Sequence, residues 1–177
     1  PLNDLSVPPP FPPTANRIMY NAERGLFDLR QGRALLITDR DASRSDSKPV
    51  MGALVAAVDG LDPVSLDRLR SMGTEPLRLV VTAHRVGAMG LSPEEANAVP
   101  SGSYSIVLRH NVELHEVLEL ACSRNADRQA AARRISSAAP AEAAALSLIR
   151  LSLLLPAVIS IPVWLPPTAR LDRALGS

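Results

Sequence analysis

The residue pattern is that of an α/β or α+β fold, a mixed β-sheet flanked by helices. Three observations carry it. Short apolar runs rich in β-branched residues at 50–58, 77–83 and 157–163 read as strands. Between them lie segments with apolar groups three and four apart and with recognisable starts and stops, which read as helices. The two kinds alternate from one end of the chain to the other, and 177 residues with 46% apolar content suit one shared core.

In chain order, Thr14 is a cap for a helix over 15–31, with Ile18, Ala22, Leu26 and Leu29 on one stripe and Gly32 as the stop. Residues 33–38 read as a short strand and 39–48 as a polar loop. The run at 50–58 is apolar almost throughout, which implies cover on both faces. Asp62 as N-cap and Pro63 at the first helical position open a helix over 64–72, closed by Gly73. After the strand at 77–83 come a helical turn at 84–89 and a small helix start at Ser92-Pro93-Glu94-Glu95. Residues 104–109 alternate as a strand, Asn111 is a cap for a helix reaching Ser123, and the Ala- and Arg-rich 126–136 reads as helical. The apolar stretch 143–164 contains Arg150, Pro156 and Pro162, so it parses as a helix over 141–155 and a buried strand over 157–163 rather than a membrane span.

Five prolines between Pro8 and Pro13 mark residues 1–13 as an extended arm. Residues 14–164 form one domain, and 165–177 read as a linker, so the chain is expected to be a piece of a longer protein. No basic region leads into an apolar one as in a signal peptide, and the expected compartment is the cytoplasm.

Nineteen basic residues against eighteen acidic ones leave a net charge of +1, which argues against a phosphate-tracking nucleic-acid binder. The aromatics are Phe11, Tyr20, Phe27, Tyr104 and Trp164, too scattered for base stacking. Cys122 is the one cysteine, which excludes an internal disulfide and a multi-thiolate zinc site. It falls in a helical apolar stripe with Val117, Leu118 and Ala121 and reads as a buried, inert thiol. His84, His110 and His115 lack the spacing of a metal pair and read as surface or capping residues.

The candidate chemistry is in the loop after the first strand, where open sheets place ligands. Asp39, Asp41 and Asp46 offer oxygens to Mg²⁺, and Arg40 and Arg44 offer guanidinium groups to a phosphate. The competing reading is a solvated loop whose opposite charges pair with one another. Neither a Gly-rich phosphate loop nor a serine nucleophile elbow is present.

The segment from Ala22 to Asp39, A-E-R-G-L-F-D-L-R-Q-G-R-A-L-L-I-T-D, resembles the opening of 3,4-dihydroxy-2-butanone 4-phosphate synthase, where a helix and a glycine turn lead into a strand and an acidic loop. The order continues in step. G-A-L-V-A-A-V from Gly52 and the helix from Asp62 resemble the family's second strand and helix, and L-R-L-V-V-T-A-H-R from Leu77 resembles its next strand and turn. Residues 143–163 are similar to its late helix, proline and strand. The resemblance implies the fold of that family, a dimeric one.

The departures fall on the family's functional residues. Its acidic loop has the form D-R-E-N-E-G-D, with glutamates for metal binding and proton transfer on ribulose 5-phosphate; Pro49 and Met51 stand where glutamates are expected. Its G-G-H-T-E-A falls at Ala139-Pro140-Ala141-Glu142-Ala143, without the metal-binding histidine. A Mg²⁺-assisted rearrangement needs those groups. The expectation is therefore a chain with no catalytic residue and no cofactor of its own. It looks like the degenerate synthase-like module that precedes a GTP cyclohydrolase II domain in some bacterial riboflavin proteins, a hydrolase domain that would carry the zinc. Such a module is expected to form a homodimer, with roles in folding, dimerisation or regulation. The alternatives are a residual phosphosugar- or nucleotide-binding or lyase module using the loop 39–46, and an independent structural protein.

Overall fold

The structure, a computed structural model, describes residues 24–38, 50–90, 102–123 and 132–165. The predicted arm, the loop 39–46, the helix start at Ser92 and all of the predicted linker 165–177 but Leu165 lie outside the described residues, and Leu165 belongs to the last described strand instead of a linker. Helix α1 occupies residues 24–30 and stops at Gly32, whose φ of +71° is open to glycine without strain. Strands β1 (Leu35–Thr38) and β2 (Val50–Ala57) follow, then helix α2 (Pro63–Met72), β3 (Arg78–Thr82) and the short α3 (Ala83–Ala88). The second half runs β4 (Ser103–Leu108), α4 (Leu114–Cys122), β5 (Ala132–Ser137), α5 (Pro140–Arg150) and β6 (Ala157–Leu165).

The six strands of the described residues form one sheet in the order β1-β2-β6-β3-β4-β5, and every neighbouring pair is antiparallel. The α+β class is as the sequence implies, but the sheet is not mixed. The helical crossover from β2 to β3 does run between like-directed strands. It leaves a vacant place between them, and β6 fills it running the other way.

The strand alternation sorts the core into two layers. On one face Ala56, Leu79, Val81, Ile106, Ile159 and Ile161 pack under α2, α3 and α4. On the other, Ala53, Val55, Ala57, Val80 and Val158 pack under α5 and Leu29 of α1. Each fully buried aliphatic side chain here contributes about 1.5–3 kcal/mol.

Local signals explain most element ends. Asp62 Oδ1 accepts from the Ser65 N–H at 2.7 Å, and Thr82 Oγ1 accepts from the Arg85 N–H at 3.2 Å, capping α2 and α3. Four expectations need correction. Helix α4 starts from Glu113 rather than Asn111, because Glu116 reaches back to the Glu113 N–H at 2.8 Å. Residues 132–136 are strand, not helix: Ile135 pairs with Ile106, and the exposed edge of β4 outweighs the helix propensity of Ala and Arg. Helix α5 ends at Arg150 instead of Leu155, since the chain turns through Leu153 in the left-handed region, φ 60°. Cys122 is exposed, because α4 buries Val117, Leu120 and Ala121 and turns Cys122 and Leu118 outward together. The three histidines are exposed, as expected.

A pocket at the start of helix α5

Register places the chemistry. The β3–β6 ladder stops at the pair Arg78↔Ser160, whereas β2 and β6 stay paired through Val50↔Leu165. Beyond Ser160, β6 has lost its second neighbour, so Pro162, which has no N–H to give, is accommodated in a strand that is central elsewhere. The opening left beside it is a pocket of about 250 Å³. Met51, Ala53 and Pro162 form its sheet wall, Arg78 stands at one side, and Pro140 and Ala141 at the start of α5 form the roof.

Glu142, 2% exposed, is the one carboxylate among the described residues of this pocket, and its oxygens are occupied. Oε1 accepts from Ser160 Oγ at 3.0 Å and from Ser105 Oγ at 3.4 Å, and Oε2 accepts from the Ala139 N–H at 2.9 Å. An Arg78 guanidinium nitrogen lies 3.9 Å from Oε1, close enough to offset the charge but too far for a hydrogen bond. A buried carboxylate with three donors and a neighbouring cation ties the start of α5 to β4 and β6. Ala139, at the N-cap, has no side-chain oxygen to satisfy the first turn, and Pro140 has no N–H to be satisfied.

Asp39, Arg40, Asp41, Arg44 and Asp46 lie outside the described residues. The flanking pair Thr38↔Gly52 places the departure and return of that loop at the pocket end of the sheet. A Cβ on Gly52 would lie 2.9 Å from the Ile37 carbonyl oxygen, so glycine lets β1 approach here. Met51 is on the pocket wall, 49% exposed, and pairs with Trp164, 64% exposed. Sequence reasoning singled out neither Ser105, Ser160 nor Arg78; the only signal was a polar residue at an inward position of an apolar strand. A larger groove of about 530 Å³ between α2 and α4 has its polar groups already paired, Arg70 with Asp67 and the Val112 carbonyl, and His115 beside Glu113.

No protein-family model matches the chain, and no curated protein matches it. Solved structures do. The two-domain 3,4-dihydroxy-2-butanone 4-phosphate synthase RibBX of A. baumannii superposes with a TM-score of 0.56 at 15% identity over 80% of this chain. The fold is that of this synthase. The Candida albicans synthase gives a TM-score of 0.55 at 17% identity over 78% of this chain. A synthase solved with two magnesium ions gives 0.55 at 13% identity over 80% of this chain. The chain spans 47% of the two-domain protein and about three quarters of the other two, 76% and 74%.

The described residues of the pocket do not fit a magnesium ion. A hard cation takes several oxygen ligands, and this pocket offers one carboxylate already holding three donors among apolar neighbours. Among the described residues no three His, Cys, Asp or Glu side chains are grouped to hold a metal. Nor is any described helix long and apolar enough to cross a membrane.

Proposed function

We propose that the chain is a synthase-like module that has given up the synthase reaction and serves folding, dimerisation or regulation of a cytoplasmic riboflavin-pathway protein of the GTP cyclohydrolase II type. The observation that carries this is Glu142: the carboxylate at the pocket spends both oxygens on internal hydrogen bonds and is no free base or ligand. The apolar Met51, Pro140 and Pro162 beside it are consistent with lost sugar-phosphate chemistry. The test is incubation of the purified chain with ribulose 5-phosphate and Mg²⁺, following loss of the sugar phosphate. No turnover is expected; turnover at a synthase-like rate would overturn the reading. Light scattering is expected to give a dimer, and the reading frame beyond Ser177 to encode a Cys-rich zinc domain.

A second reading is a residual ligand-binding or lyase module using Asp39, Asp41 and Asp46. It is favoured by one observation, the position of that loop's ends beside the pocket. Calorimetry with ribulose 5-phosphate and Mg²⁺ separates the two, since only the second expects heat that disappears on Asp41→Asn.

A further inference from the structure

We infer that the pocket at the start of α5 binds a small monocarboxylate with an apolar body. The inference rests on the reading that this pocket has lost its synthase chemistry, and it names what the remaining groups would select.

Arg78 is the exposed charge of the pocket. Its side chain is 27% exposed, whereas that of Glu142 is 3% exposed, so an entering molecule meets the guanidinium and not the carboxylate. Among the described residues the Arg78 side chain donates no hydrogen bond: the approach to Glu142 is 3.9 Å, and Nε is buried without a partner. Its planar fork of donors matches a carboxylate. The other described walls, Met51, Ala53, Pro140, Ala141 and Pro162, are apolar.

Charge and volume narrow the class. Glu142 already offsets much of the Arg78 charge, so the pocket suits a monoanion better than a phosphate dianion, which gathers more donors. Sugar hydroxyls would lose water against methyl and proline groups without gaining hydrogen bonds there, which disfavours a sugar. A volume of about 250 Å³ is below that of pockets for drug-sized ligands, which hold about 300–1,000 Å³, and suits a single ring or a short branched chain.

Benzoate is the probe, with benzamide as its neutral counterpart. Trp164 is the only tryptophan and pairs with Met51 of the pocket wall, so its fluorescence is followed together with the heat of binding in calorimetry. The expected result is a saturable change with benzoate, binding at least about tenfold weaker for benzamide, and a loss of about tenfold in benzoate affinity in Arg78→Gln. Because Arg78→Gln strands the Glu142 charge, the paired variant Arg78→Gln/Glu142→Gln is measured beside it and is expected to lose benzoate in the same way. Equal binding of benzamide, inorganic phosphate binding as tightly as benzoate, unchanged affinity in both variants, or no saturable change would each overturn the inference. Absence of benzoate binding together with absence of turnover leaves the non-catalytic reading standing. Turnover of ribulose 5-phosphate would remove that reading, and this inference with it.

Discussion

Glu142 shows how one side chain can be structural where its surroundings suggest chemistry. Removing it as Glu142→Ala strands two buried hydroxyls and the Arg78 charge, and the expected loss is about 3–5 kcal/mol, read from urea unfolding. Glu142→Gln keeps an acceptor for the serines and is expected to lose less. Glu116 responds to pH. The hydrogen bond from Arg109, followed by that from the Glu113 N–H, holds its carboxyl below the usual carboxylate range. Folding therefore favours the ionised form. Its contribution is present above the unfolded value, about pH 4.3, and is lost as pH falls through the lower folded value. In Glu116→Gln the urea midpoint is expected to lie below wild type at neutral pH, with the gap closing as the solution is acidified. Caps such as Asp62 were legible because donor and acceptor sit three residues apart. The Ser105–Glu142–Ser160 cluster was not, because its members meet only through the sheet register.

Among the elements, those with both a local start signal and a matching core face were readable from sequence. Helix α2 is the clear case, with Asp62, Pro63 and a stripe of Leu66 and Leu69. Strand β5 was not, since Ala-Arg-Arg-Ile carries helix propensity and its strand state depends on β4 offering an edge. The end of α5 was misplaced for a related reason. Leu151 to Leu155 continue an apolar helical pattern, yet Leu151 is 74% and Leu153 95% exposed. A leucine at φ 60° stores strain without burying its side chain. Leu153→Gly is expected to raise stability by about 0.5–1 kcal/mol, visible as a higher thermal midpoint, because relief of left-handed strain exceeds the entropy that glycine adds to the unfolded chain.

At the scale of the molecule, the class was legible and the strand order was not. Alternating strands and helices carry no information about which strand fills the gap that a crossover leaves. Here β6, the last described strand, lies between β2 and β3 and is the only described strand that joins the β1-β2 pair to the β3-β4-β5 group. A chain cut after Pro156 is accordingly expected to lack cooperative unfolding and to be degraded quickly by a protease that spares the intact chain. The same order bears on synthesis. While the ribosome is still making residues 157–165, the emerging chain holds two sets of strands, each with an unsatisfied edge facing the place reserved for the other's neighbour. Its assembly must wait until residue 165 has been made, a delay in which those two edges are open to strands of other chains, and nascent-chain shielding has most to protect.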